Sequence, residues 1–312
     1  MTSLLLSLIL APQSATQNPF IKGADPHAQV VGKTVWVYPT DGTHRIGAAF
    51  WAYSSTDLKT WTEHGPILKF DEIPWIKEDK APWHGAWAPA VAQRGKKFYF
   101  YYAVGPQHPT PSRLGVAVGD SPAGPFKDSG KPLFTGPNEG FEAIDPMVFH
   151  DPKSKKDFLY AGGSAGAKLR VWELSRDMVS LKNEVPVATP EGFTEGAFMH
   201  YRKGLYYMSY SHGGWKDASY SAYYSTAPTP TGPWKYGGAI LKSNATRKGP
   251  GHHSIFQYPG RDEWYIAYHC WPNRKGDGPY EGSRELAIDR LEFEKDGAMK
   301  AVTMTDSPPS WP

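Results

Sequence analysis

The sequence predicts an all-β fold: one five-bladed β-propeller whose four-stranded antiparallel blades surround a central channel. Three observations predict it. A two-strand pattern repeats five times along the chain. A second two-strand pattern follows each copy, giving four strands per repeat. No stretch keeps a 3.6-residue apolar period over three turns, so helix content should be low.

Each copy of the first pattern has an anchor residue, an apolar strand, a turn and a strand crowded with aromatics. The copies are residues 24–30 before 34–38, 87–91 before 98–102, 144–149 before 157–160, 195–199 before 205–210, and 252–256 before 263–268. Gly, Asp, Lys or Pro occupies the turns, as hairpins require. The second pattern is clearest at 52–61, where a strand of small residues runs through a Ser/Asp-rich turn to Trp61. It returns at 116–126 and 222–234, more weakly at 171–175, and at 285–293. The anchors Asp25, Trp87, Asp145, Glu195 and His252 follow one another at 62, 58, 50 and 57 residues. Those periods suit a four-stranded blade with long loops.

The 312 residues are 40% hydrophobic, enough for a large core, and 32 Gly and 29 Pro are scattered as punctuation between short strands. Twelve Trp and 18 Tyr exceed what a core demands and suit sugar binding, because apolar C–H faces of a sugar ring pack on aromatic rings. Net charge is +3 with no basic run, so no nucleic-acid partner is expected. The single Cys270 excludes an intramolecular disulfide and a Cys-based zinc cluster.

Residues 1–17 carry an apolar stretch from Leu4 to Ala11, too short to span a bilayer. They read as a signal peptide or a disordered leader, although no basic residue precedes Lys22. The expectation is a secreted or periplasmic monomer without a membrane span. Its single catalytic domain would cover 18–312.

In a propeller the first strand of each blade lines the axis, so residues at equivalent starts converge on one mouth of the channel. Here they are Asp, Trp, Asp, Glu and His. Three carboxylates would be costly to crowd there without a purpose. Glycoside hydrolysis needs such a set. One carboxylic acid protonates the leaving oxygen, and one carboxylate activates water on the opposite face of the sugar. A third carboxylate near the acid keeps it protonated by like-charge repulsion.

The segments Ala24-Asp25-Pro26, Trp87-Ala88-Pro89, Ile144-Asp145-Pro146, Thr194-Glu195-Gly196 and Gly249-Pro250-Gly251-His252 resemble glycoside hydrolase family 43, in that order, over roughly residues 18–303. The resemblance implies a five-bladed, inverting enzyme acting on α-L-arabinofuranosides or β-xylosides of plant polysaccharides and oligosaccharides. By resemblance, Asp25 is the general base, Glu195 the general acid, and Asp145 tunes and orients the acid. Trp87 matches a sugar-stacking tryptophan, and Ser164 and Arg284 match residues that touch sugar hydroxyls, with Arg290 as the alternative to Arg284. His252 matches an axial histidine, often linked through water to a calcium or similar ion. A structural calcium or sodium ion is therefore expected, with no cofactor in the chemistry. His253 doubles that histidine, and a one-residue shift would turn the side chain to the other face. No C-terminal β-sandwich, which the family often carries, is expected in the residues up to Pro312.

Other readings are weaker. Gly162-Gly163-Ser164-Ala165-Gly166 matches a nucleophile elbow, which needs a following helix, yet 169–174 reads as a strand. A non-catalytic sugar-binding propeller would lose at least one carboxylate. A scaffold propeller of the WD type would close its blades with Trp-Asp, which is absent. Among sugars, α-L-arabinofuranose is preferred over β-D-xylose, with a galactoside as the alternative. The choice resides in loops such as 71–83 and 105–113.

Overall fold

The structure, a computed structural model, describes residues 8–9, 13–14, 17–41, 49–135 and 140–312. The expected leader lies for the most part outside the described residues. Within it, Leu8–Ile9 and Gln13–Ser14 pair with Thr60–Lys69.

Two-residue turns open three of the repeats. Gly32-Lys33, Gly95-Lys96 and Lys203-Gly204 join strands paired at Val31 and Thr34, Arg94 and Lys97, and Arg202 and Leu205. The glycine of each turn has positive φ, at 65°, 60° and 93°, the conformation such tight hairpins require.

These hairpins extend into four-stranded antiparallel sheets. Ala86–Arg94, Lys97–Val104, Arg113–Gly119 and Lys127–Asp128 form one. Met147–His150, Asp157–Ala161, Arg170–Leu174 and Leu181–Val185 form the next. Glu195–Arg202, Leu205–His212, Ser221–Ala227 and Lys235–Leu241 form a third. The first unit (Ile21–Val31, Thr34–Asp41, Ala49–Ser55, Thr60–Lys69) and the last (His253–Gln257, Trp264–Pro272, Glu285–Leu291) share one larger sheet. They join where Lys22 and Ile21 pair with Glu285 and Leu286. The one helical element among the described residues is a three-residue 3-10 turn, Phe70–Glu72.

The aromatic second strands explain how units hold together. Four of the five bury a tyrosine ring and send the hydroxyl into a turn of the following unit. Tyr38 donates to the Pro122 carbonyl (2.8 Å), Tyr101 to Met178 (2.7 Å), Tyr160 to Pro230 (2.7 Å) and Tyr207 to Gly297 (2.8 Å). The ring supplies apolar burial while its polar tip is satisfied across the seam. The chain ends close the remaining seam. Asn18 bonds both backbone groups of Ile288 (2.9 and 3.0 Å), and Trp311 donates to the Lys33 carbonyl (2.9 Å) while packing on Phe256, Tyr258 and Tyr265.

The leading strands lie side by side in a cycle. Ile21–Val31 neighbours Ala86–Arg94, followed by Met147–His150, Glu195–Arg202, His253–Gln257 and Ile21–Val31 again. Four of them begin with the same irregularity. Two residues (25–26, 88–89, 145–146 and 196–197) oppose a single partner residue, which is a β-bulge. The first residue of each bulge has positive φ: Asp25 47°, Ala88 48°, Asp145 54° and Gly196 63°.

Candidate active site

The bulges set which side chains reach the mouth of the channel. Asp25 and Asp145 occupy the left-handed bulge position itself, whereas Trp87 and Glu195 stand one residue earlier. The five anchors are thus not strictly equivalent, contrary to the equal placement that the repeat pattern implies. Because a bulge breaks the strict alternation of a strand, neighbours such as Ile144 and Asp145 both line the same cavity. A non-glycine residue at positive φ carries strain, and such strain concentrates at functional sites.

That cavity, about 380 Å³, is lined by all seven residues singled out from sequence: Asp25, Trp87, Asp145, Ser164, Glu195, His252 and Arg284. Arg290 is elsewhere, on the surface beside Glu263 and Ser310. His253 is also excluded from the cavity. It is buried against the Gly251 carbonyl (3.0 Å) and the Ser209 hydroxyl (2.8 Å).

Asp25 and Glu195 are both buried, yet their surroundings push them in opposite directions. Around Asp25, burial favours the neutral acid, but the charges of Arg284 and His252 and the Thr40 hydroxyl outweigh it. The carboxyl is therefore held well below the usual carboxylate range. Arg284 donates to its Oδ1 at 3.0 Å. His269 fixes the backbone, its Nδ1 accepting the Asp25 N–H at 3.0 Å. That bond places the neutral ring's proton on Nε2, and burial followed by Arg284 holds His269 far below its ordinary value.

Around Glu195, burial and the Asp145 charge push the carboxyl up to about 7, against hydrogen bonds from Ser164 and Tyr220 and the charge of His252. Ser164 donates to Oε2 at 2.5 Å and Tyr220 to Oε1 at 2.6 Å. Ser164 and Arg284 thus contact carboxylates here, where the sequence reading places them on sugar hydroxyls. Tyr220 and His269 carry no signal in the sequence. They stack on each other 5.6 Å apart and arrive from different units.

His252 lies among the carboxylates, its Nδ1 3.4 Å from Asp145 Oδ2 and 3.8 Å from Asp25 Oδ1. Burial alone would lower it, but Asp145, Asp25 and Glu195 raise it to about 9. Among the described residues no three His, Cys, Asp or Glu side chains are grouped to hold an ion. The side chains present do not fit a directly ligated ion, and no step below passes through one.

Two glycines pack closely against side chains that line the cavity. A Cβ on Gly163 would fall 2.1 Å from Glu195 Cβ, and one on Gly105 would fall 1.8 Å from Trp87 Cη2. Both are far inside contact distance. Gly105→Ala should displace the Trp87 ring and raise KM for sugar substrates several-fold more than it lowers kcat. Steady-state kinetics on purified protein checks this.

With this geometry in view, the comparisons with known proteins identify the class. The profile of Glycosyl hydrolases family 43 matches residues 16–299, and the chain belongs to that family of glycoside hydrolases. It is 37% identical over 305 residues to a β-D-galactofuranosidase, xynD, of Aspergillus niger, covering 92% of this chain and 85% of that protein. It is 29% identical to xylosidase/arabinosidase 43A of Humicola insolens, covering 90% and 96% of the two chains. Among solved structures, a thermostable family-43 glycoside hydrolase aligns at a TM-score of 0.76 with 28% identity, covering 95% of this chain and 97% of that one. A GH43 β-xylosidase/α-arabinofuranosidase from a compost microbial metagenome, crystallised with xylotriose, aligns at 0.73 with 26% identity, covering 93% and 98%. Among the described residues, no helix is long and apolar enough to cross a membrane.

Proposed function

We propose that this enzyme is an inverting exo-glycosidase that releases terminal α-L-arabinofuranosyl residues from plant polysaccharide fragments, with Asp25 as general base and Glu195 as general acid. The observation that carries the reading is the opposite setting of two buried carboxyls in one cavity. One is held ionised by Arg284 and protonated His252, and the other is pushed toward its protonated form by burial and Asp145. Two titratable groups driven apart by their surroundings are what acid–base chemistry near neutral pH requires. Glu195 protonates the leaving oxygen while Asp25 takes a proton from the water that attacks the anomeric carbon. Asp145 is the tuning carboxylate, and its contact with His252 fixes its orientation. The cycle of leading strands, and the sheet shared by the first and last units, support a five-bladed propeller with this site at one mouth of its channel.

A second reading of the sugar has support of its own. The Aspergillus niger relative is named a β-D-galactofuranosidase. β-D-Galactofuranose has the ring configuration of α-L-arabinofuranose and adds one hydroxymethyl group beyond the ring. Hydrolysis of the 4-nitrophenyl α-L-arabinofuranoside, β-D-galactofuranoside and β-D-xyloside tests the choice. Cleavage of the arabinofuranoside with the highest kcat/KM supports the first reading, and a galactofuranoside preference of tenfold or more replaces it with the second.

Asp145 and Tyr220 should move the same pH limb in opposite directions. Activity needs protonated Glu195 and so falls as pH rises through about 7. Asp145→Asn removes the like charge that raises Glu195, so the alkaline limb should move down by roughly one pH unit. Tyr220→Phe removes a hydrogen bond that lowers it, so the limb should move up. The pH dependence of kcat/KM for both variants checks the pair, and equal or same-signed shifts contradict the arrangement.

A further inference from the structure

We infer that Trp83 and Trp215 form a leaving-group subsite that grips the next sugar ring of a carbohydrate chain. This inference rests on the exo-glycosidase reading of the same cavity. Among the described residues, three large hydrophobic side chains are strongly exposed, and these two, at 53% and 42%, both line the cavity that holds Asp25 and Glu195. The carboxyls lie at its buried end, with exposures of 5–8%. The sugar to be cleaved must reach them, so the remainder of the substrate extends toward the exposed rim where the tryptophans stand. An indole left in water loses the burial that normally stabilises it. A flat apolar ring at a polar cavity mouth is suited to the C–H face of a sugar.

Both rings sit on anchored loops. Behind Trp83, the side chain of Asp79 binds His84 Nε2 (2.7 Å) and Arg113 (2.7 Å). Buried Arg113 also donates to the Trp75 and Ile76 carbonyls (3.0 and 2.7 Å). On the other side, Trp271 Nε1 donates to the Trp215 carbonyl (3.2 Å), and the Lys216 carbonyl accepts the Tyr280 N–H (2.6 Å). The Arg284 guanidinium that pairs with Asp25 lies 5.1 Å from the Trp215 ring centroid, so the ring is oriented by the catalytic ion pair itself. Loops held this firmly present the rings without an ordering cost on binding.

The test uses protein carrying both Asp25→Asn and Glu195→Gln, in which turnover is suppressed from both sides of the reaction, and calorimetric titration with L-arabinose, α-1,5-arabinotriose and xylotriose. The expected result is that at least one trisaccharide binds about tenfold or more tighter than the monosaccharide. Adding Trp83→Ala or Trp215→Ala should each remove most of that margin, by about fivefold or more, while leaving L-arabinose affinity within about twofold, and Trp215→Phe should restore most of the loss. A trisaccharide that binds no tighter than the monosaccharide overturns the inference, as does a margin that survives both alanine variants. The two readings fail separately. Absence of hydrolysis by the wild-type enzyme on every furanoside and xyloside would remove the proposed reaction and with it the leaving-group role, while the trisaccharide margin and its loss in the variants would still show that the two tryptophans hold a second sugar ring.

Discussion

Glu195→Gln should lower kcat on an oligosaccharide by about 10²–10⁴-fold, the range a positioned general acid supplies. The side chain keeps its size, and the amide oxygen can still accept from Ser164 or Tyr220. The proton that the leaving oxygen needs is gone. The loss should therefore shrink with the quality of the leaving group, because a 4-nitrophenolate departs without protonation and a sugar alkoxide does not. A comparison of wild type and variant on the oligosaccharide and the nitrophenyl glycoside checks this. An equal loss on both would mean that Glu195 acts otherwise than as an acid. Gly163 belongs to the same prediction, since a methyl group there would press on Glu195 Cβ at 2.1 Å.

Asp25→Asn should cost as much, about 10²–10⁴-fold in kcat, but independently of the leaving group. The base acts on water, and every substrate needs that water. The acidic limb of the wild-type profile follows from the same residue. With Arg284 at 3.0 Å and protonated His252 nearby, Asp25 stays ionised well below the usual carboxylate range. Activity should thus persist to low pH and fall only as Asp25 finally takes up a proton. Arg284→Met, which keeps length but removes the charge, should raise Asp25 and move the acidic limb upward. Losses confined to good or to poor leaving groups would contradict the role of Asp25, and thermal unfolding of the variant separates a lost base from a lost fold.

Much of this was legible in the chain before any coordinates. The repeat is visible because the units share parts: three have a Gly-Lys or Lys-Gly turn, and four have an aromatic strand whose tyrosine reaches the next unit. Physical necessity left the same letters in the same order. The carboxylates at the repeat starts were legible for the same reason. Their exact placement was not. A bulge adds a residue without leaving a mark in the hydrophobic pattern, so Trp87 and Glu195 seem equivalent to Asp25 and Asp145 although they stand one position away. Nor was Tyr220, which stands just before the strand Ser221–Ala227 and bonds to Glu195 across 25 residues of one unit. Trp215 lies in a loop whose anchors, Trp271 and Tyr280, come from the following unit. Contacts of that kind follow from tertiary packing rather than local propensity, and a single sequence does not encode them as a pattern.

The central claim is that a water activated by Asp25 attacks the face of the sugar opposite Glu195. The most direct measurement is the anomeric form of the sugar first released, followed by proton NMR before mutarotation. For an α-L-arabinofuranoside the account predicts that β-L-arabinofuranose appears first. First release of the α-anomer would mean retention. It would require one of these carboxylates to attack the sugar directly, and it would contradict the assignment of Asp25 as a base.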